Sequence, residues 1–236
     1  MKALFVTGTD TAVGKSVVTG CLAKYLSLKG YSVITQKWIQ TGCSLNFPSD
    51  IKLHLKIMNR NLNDMKERLS CIAPYVFNKA FSPHLASKIE HKRIDANKII
   101  KGFKILSQRF DFIIVEGIGG ALVPFNKKRL VIDIVKALDL PVLVVVDNKL
   151  GAINHTLLTV EALTARKIRV LGLVFNNRKR ENKLILEDNP RIIKSLTKQR
   201  IFGALPRLAT YQKLYEKFIP IAEKIFKQLS ADGKMA

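Results

Sequence analysis

The sequence predicts an α/β fold: a doubly wound, mostly parallel sheet with helices on both faces. Three observations lead there. Short β-rich runs alternate with longer helical patterns along the chain. Several of those runs read as continuous Val, Ile and Leu, the pattern of strands buried on both faces. The first run leads directly into a glycine-containing loop and then an apolar-periodic helix, the order in which a phosphate-binding fold opens.

In chain order, a strand is expected at residues 3–7, cut short by Gly8-Thr9-Asp10, and a helix at 15–29, stopped by Gly30. A second strand follows at 32–36 and a helix at 51–58. Pro74 and Pro83 break any regular element in residues 59–94, which read as an excursion beside the sheet and not as a domain. Asp95 is placed to cap a helix at 96–109. The remaining pattern alternates: strands at 112–116, 142–147, 170–176 and 201–205, helices at 130–138, 153–166, 183–198 and 213–228. Residues 230–236 are expected to fray. At 236 residues, without repeats or a Gly/Ser linker, the chain reads as one domain spanning 1–236.

Composition narrows the function classes. Hydrophobic residues make up 47% of the chain, enough for a core. No apolar run approaches the ~20 residues that span a bilayer. The apolar start is too short for a secretory signal, so a cytoplasmic location is expected. Cys21, Cys43 and Cys71 are widely spaced, which speaks against a disulfide framework or a zinc site. Forty Lys and Arg against 18 Asp and Glu give a net charge of +22. Such an excess raises nucleic acid as a partner. The basic residues are scattered, however. The clusters Lys127-Lys128-Arg129 and Arg178-Lys179-Arg180 lack interleaved aromatics, so a solvated lysine-rich surface is the expectation.

The loop Gly8-Thr9-Asp10-Thr11-Ala12-Val13-Gly14-Lys15-Ser16 matches G-x-x-x-x-x-G-K-[ST] from Gly8; counted from Thr9 it has the usual spacing, with Thr in place of the first Gly. Lying between a strand and a helix, its amides can surround a polyphosphate, which makes the fold P-loop NTPase-like. Lys15 would reach the β- and γ-phosphates and the Ser16 hydroxyl would ligate Mg²⁺. Ala12 through Val17 would line the nucleotide. Glu116 ends an apolar strand and precedes Gly117-Ile118-Gly119-Gly120. Beside the loop strand it would lie at the carboxyl edge of the sheet, where a carboxylate can join Ser16 on Mg²⁺. Asp50 begins a predicted helix; it is either a further metal-site acid or a first-turn Asp satisfying the helix dipole.

Further stretches resemble the dethiobiotin synthetase family. The loop is similar to that family's GTDTxVGKT. Lys37-Trp38-Ile39-Gln40-Thr41-Gly42 resembles its Lys-Pro-x-x-[Ser/Thr]-Gly, and Val115-Glu116-Gly117-Ile118-Gly119-Gly120 its VEGAGG. Lys149-Leu150-Gly151-Ala152-Ile153-Asn154-His155 is similar to KLGxINH, Ser82-Pro83-His84 to SPH, and Gly203 through Leu208 to GxxPxL. The matches run in order from the first strand to Leu208. The resemblance implies that ATP, CO₂ and 7,8-diaminononanoate give dethiobiotin, ADP and phosphate, by way of a carbamate and a carbamic-phosphoric anhydride. It implies Lys37 and Lys15 as catalytic residues, Mg²⁺ held by Ser16, Asp50 and Glu116, and reacting groups lined by Glu116, Gly117, Ile118 and Gly119. Thr11, Lys37, Thr41, Gly151 and Asn154 would bind the diamine substrate, the last two through its carboxylate across a homodimer interface. Asn176, Asn177, Pro206, Arg207 and Leu208 would surround the adenine.

The chain departs from that pattern in places. Trp38 stands where the family has Pro, adding bulk beside the substrate position, and Ala12 stands where many members carry Glu. Ser16 replaces Thr, and the acidic residue expected near the ribose after Leu208 is missing. Two other readings stay open. Amidating relatives such as the cobyrinic acid diamide synthetases carry a glutaminase domain for which this chain ends too early. A partitioning-type ATPase switch that binds nucleic acid would suit the charge, but such switches place an extra lysine early in the loop, where this chain has Thr9-Asp10.

Overall fold

A computed structural model describes residues 2–43, 48–61, 63–178 and 180–231. The chain opens with β1 (Lys2–Gly8), α1 (Lys15–Leu28), β2 (Val33–Lys37), β3 (Ile39–Gln40) and α2 (Ser49–Met58). A 3₁₀ turn at Asn63–Arg68 leads to α3 (Leu69–Ile72), β4 (Tyr75–Val76), α4 (Pro83–Ile89) and α5 (Ala96–Ser107). Then come β5 (Phe112–Glu116), α6 (Val131–Ala137), β6 (Val142–Asp147) and α7 (Ala152–Thr164). The last elements are β7 (Val170–Asn176), α8 (Lys183–Thr197), β8 (Ile201–Leu205) and α9 (Tyr211–Ala231).

Among the described residues, six strands form a parallel sheet in the order β2-β5-β1-β6-β7-β8. Alternate side chains of one strand enter different cores. Phe112 and Ile114 of β5 pack with α1 and α9, whereas Ile113 and Val115 pack with α5, α6 and α7. Both faces are therefore covered, which is why the strands read as unbroken apolar runs. Strand β1 lies between β5 and β6; β6, β7 and β8 follow outward on one side, while on the other β5 inserts between β1 and the edge strand β2. The crevice at its carboxyl end is the topological switch point, and the phosphate-binding loop leaves β1 there.

The local signals worked as expected at two ends. Gly30 has φ 91° after α1, and the Asp95 side chain accepts the Asn97 N–H at the start of α5. The structure departs from expectation in two places. The excursion at 59–94 holds regular elements after all: Pro83 opens α4 instead of breaking it, since a proline at the first helical position loses no helical hydrogen bond, and β4 pairs in parallel with β3 as a separate two-stranded ladder. Strands of two residues carry no periodicity to read. Residues 230 and 231 are helical, not frayed, and the rest of that expected tail, 232–236, lies outside the described residues. Helix α9 continues through Pro220 because Phe218, Ile221, Ala222 and Ile225 are buried beside it, which outweighs one lost helical hydrogen bond. Among the described residues no helix is long and apolar enough to cross a membrane.

Candidate active site

The loop after β1 is built around two glycines. A side chain on Gly8 would place its Cβ 2.5 Å from Val13 Cγ2, so Gly8, the last residue of β1, is the residue that must be glycine, and Thr9 need not be. Gly14 caps α1 with φ 106°, in the left-handed region, and Ala12 also has a positive φ of 54°. Lys15 is buried, and its ammonium donates to the Asp10 carbonyl at 2.8 Å. Burial and the neighbouring Lys37 charge bring the Lys15 ammonium down to about 8, against the pull of Glu116, Asp50 and Asp10. Val17, in the first turn of α1, is half-buried.

Pairing registers bring the distant groups together. Val6 of β1 and Lys37 of β2 both pair with Glu116, so the loop, the lysine and the carboxylate share one end of the sheet. Lys37 is 3% exposed and donates to Glu116 Oε1 at 2.8 Å, to Asp50 Oδ2 at 2.8 Å and to the Gly117 carbonyl at 2.6 Å. Burial alone would lower its pKa, but Glu116 and Asp50 outweigh that and hold the ammonium above its ordinary range. Burial likewise opposes the Glu116 charge. Lys37 and the imidazole of His54 overcome it and hold the carboxyl well below the usual range. The Ser16 hydroxyl donates to Glu116 Oε1 at 2.9 Å. Of its two sequence readings, Asp50 meets the first-turn one. It lies in the first turn of α2, and its carboxylate reaches the Lys37 ammonium.

Trp38 corrects an expectation. Its ring is buried 5.4 Å from that of Phe5, and its indole N–H donates to Gln36 Oε1. The added bulk enters the core beside Phe5, at the bend between β2 and β3. Thr41 is half-buried after β3, and Thr11 is exposed, with its N–H on Asp10 Oδ1. The Gly119 backbone, at φ 59°, passes close to Thr11, with Ile118 half-buried before it.

On the other side of the loop, buried Asn176 donates from Nδ2 to the Val13 carbonyl, tying β7 to the loop. Asn177 accepts from Asn148 through its side chain, and its N–H donates to the Leu205 carbonyl. Pro206, Arg207 and Leu208 follow β8 directly. Gly151 caps α7 with φ 87°, and Asn154 lies exposed in the first turn. Among the described residues no hydrogen bond or ion pair joins these two to the Lys37 cluster. The loop nevertheless faces α7: Thr11, through its N–H and hydroxyl, and then the His155 and Lys149 charges hold the Asp10 carboxyl below its usual range. A cavity of about 280 Å³ lies alongside, lined by Thr9, Leu122, Val123, His155 and Leu158 among others.

Sequence reasoning missed several members of this site. His54 is fully buried with Nε2 2.7 Å from Glu116 Oε2; its one legible signal is its place four residues after Asp50 on the predicted helix. Asn189 donates to Asn148 Oδ1 and the Lys149 carbonyl, and Arg178 pairs with Asp147 and donates to the Ala12 carbonyl. Nothing local marks these residues.

Two carboxylates and a hydroxyl offer hard oxygen donors but too few for a complete cage. Among the described residues no cluster of three or more His, Cys, Asp or Glu could hold a metal. Such a donor set fits Mg²⁺, which keeps water and takes phosphate oxygens.

The AAA domain family model matches residues 2–213. An ATP-dependent dethiobiotin synthetase of Haemophilus influenzae is 41% identical over 81% of this chain and 99% of its own length. Another, of Thermodesulfovibrio yellowstonii, is 37% identical over 89% of this chain and 90% of its own. The solved structure of a ParA family ATPase from Chlorobium tepidum superposes with a TM-score of 0.57 at 16% identity, covering 98% of this chain and 96% of that one, a likeness of fold alone. With this identity extending along most of both sequences, the chain belongs to the ATP-dependent dethiobiotin synthetase family of ligases.

Proposed function

We propose that this chain, as one domain, forms a cytoplasmic, homodimeric synthetase that converts 7,8-diaminononanoate, CO₂ and ATP to dethiobiotin, ADP and phosphate. The observation that carries the reading is the buried Lys37 ammonium between Asp50 and Glu116, at the sheet end from which the phosphate-binding loop leaves.

One amine of the substrate takes up CO₂: a C–N bond forms and a proton is lost, leaving a carbamate. A carbamate oxygen attacks the γ-phosphorus, and the bond to the ADP oxygen breaks. The second amine then attacks the carbamate carbon and loses a proton, the bond to the phosphate oxygen breaks, and the ring closes with release of phosphate. Each step concentrates negative charge on oxygen, so positioned cations lower the barrier more than covalent help would. Lys15 serves the β- and γ-phosphates. Lys37 serves the carbamate and the transferred phosphoryl. Ser16, Asp50 and Glu116 would hold Mg²⁺, which when bound neutralises phosphate charge. Backbone amides from Ala12 to Val17 surround the phosphates, and Glu116 through Gly119 line the reacting groups. Asn176, Asn177 and residues Pro206 to Leu208 enclose the adenine. Asn176 donates one Nδ2 hydrogen to the Val13 carbonyl, which leaves its second N–H and its Oδ1 to read the adenine edge as a donor and an acceptor.

Thr11 and Thr41 bond the diamine or its carbamate, and Gly151 with Asn154 at the start of α7 receive the substrate carboxylate. Leu122, Leu150 and Leu158 are 49%, 76% and 56% exposed around that helix, which supports the pairing of two subunits there.

The test is ADP release by purified protein with ATP, Mg²⁺ and bicarbonate, with and without the diamine. Diamine-dependent release with dethiobiotin formed in step is the expected result. Release indifferent to the diamine and quickened by DNA would overturn the reading.

A further inference from the structure

We propose that His54 is a positioning residue for the metal site, bonding the far oxygen of Glu116 so that the near oxygen stays turned to Ser16. The inference rests on the metal reading above.

The two oxygens of Glu116 have different partners. Oε1 receives the Ser16 hydroxyl at 2.9 Å and the Lys37 ammonium at 2.8 Å. Oε2 receives His54 Nε2 at 2.7 Å. A carboxylate only accepts, so Nε2 is the donor. The other ring nitrogen, Nδ1, lies 3.1 Å from the Thr35 hydroxyl on β2. His54 is fully buried, so these two groups meet the whole hydrogen-bonding need of the ring. Imidazole and carboxylate thus hold each other in one orientation.

The fold supplies the ring deliberately. Asp50 and His54 are one helical turn apart on α2, so the same face of that helix meets Lys37 and Glu116. The helix comes near because Gly20 of α1 faces it. A Cβ there would lie 2.9 Å from Ile57 Cδ1 and 3.3 Å from His54 Cα. Without His54, Glu116 could rotate and offer both oxygens to Lys37. Partners behind a metal-binding group typically tune affinity by about 10–100-fold.

The experiment is a Mn²⁺ titration by electron paramagnetic resonance of ADP-saturated protein, in wild type, His54→Leu, His54→Gln, His54→Asn and Glu116→Gln. His54→Leu keeps an apolar volume but removes the donor; Gln can reach Oε2 with its amide, and Asn is too short. The expected result is roughly tenfold or greater weakening of Mn²⁺ in the Leu and Asn variants. The Gln variant should recover most of it, with metal-free ADP affinity unchanged in the three His54 variants. In turnover, the Leu and Asn variants should require more Mg²⁺ for half-activation and regain kcat when it is saturating. If the Leu variant fails to fold, the Gln and Asn pair decides. Wild-type Mn²⁺ affinity in the Leu or Asn variant, or a Gln variant as weak as they are, overturns the role of His54. Unchanged affinity in Glu116→Gln overturns the metal reading itself and the inference with it.

Discussion

Replacing Lys37 by Met tests the charge balance of the site directly. The ammonium is 3% exposed and makes three contacts of 2.6–2.8 Å, to Glu116, Asp50 and the Gly117 carbonyl. Breaking a buried pair by removing one partner costs about 3–5 kcal/mol, chiefly through the charge left behind. Two features favour the lower end. The Asp50 side chain is 24% exposed and can rehydrate, and Glu116 keeps Ser16 and His54. The expected loss is therefore about 3 kcal/mol, a fall in Tm of roughly 6–12 °C for a chain of this size. The loss must also depend on pH. In the wild type the folded-state pKa of Glu116 lies below its ordinary value of 4.5. Its contribution to stability is present above that value and is lost as pH falls toward the folded-state pKa. In Lys37→Met, burial without the ammonium raises the carboxyl instead. The folded state then binds the proton more tightly than the unfolded chain, so lowering the pH from 7 toward 5 relieves the defect and narrows the gap to wild type. Adding Glu116→Gln should restore part of the stability, with a coupling energy of about 1–3 kcal/mol. Urea denaturation of the four proteins of this cycle, at two pH values, measures all three effects. A single variant within about 1 kcal/mol of wild type at pH 7, or a double variant that loses the sum of the singles, would refute the reasoning. Activity should vanish in Lys37→Ala; full turnover there would remove the lysine from the mechanism.

Gly14→Ala would put a Cβ 2.1 Å from Asn176 Nδ2 at a residue with φ 106°. A loss of about 1–3 kcal/mol and weaker ADP binding should follow; Asn176→Ala added to it should restore only the part due to the clash. Asn189→Ala orphans Asn148 Oδ1 and leaves the Lys149 carbonyl with the Ala152 N–H alone, for a loss of about 1–3 kcal/mol. Hydrogen exchange should quicken in the 148–151 turn, and unchanged protection there would show that the turn holds without Asn189. Burial pushes the Cys21 thiol up to about 12. A thiol reagent applied at about pH 8 should therefore label Cys43 and Cys71 before Cys21, as read by peptide mass spectrometry; labelling of Cys21 at an equal rate would contradict its burial.

The sequence by itself determined the alternation of elements, the strand–loop–helix opening and the caps at Gly30 and Asp95, because these depend on periodicity and backbone preference within a few residues. The motif residues Lys15, Ser16 and Glu116 were legible for the same reason: each lies at the start or end of an element whose pattern is local, whereas Lys37 was marked only by the family resemblance. What they touch was not legible. Lys37 and Glu116 are 79 residues apart, His54 and Glu116 are 62, and Asn176 and Val13 are 163. Strand order decides such meetings, and β5 inserts between β1 and β2 without any local sign of it. Only the folded sheet turned Trp38 into the core, made Asp50 both a first-turn acid and a partner of Lys37, and set His54 behind Glu116. Side-chain direction and pairing register are properties of packed neighbours, not of the segment that carries the residue.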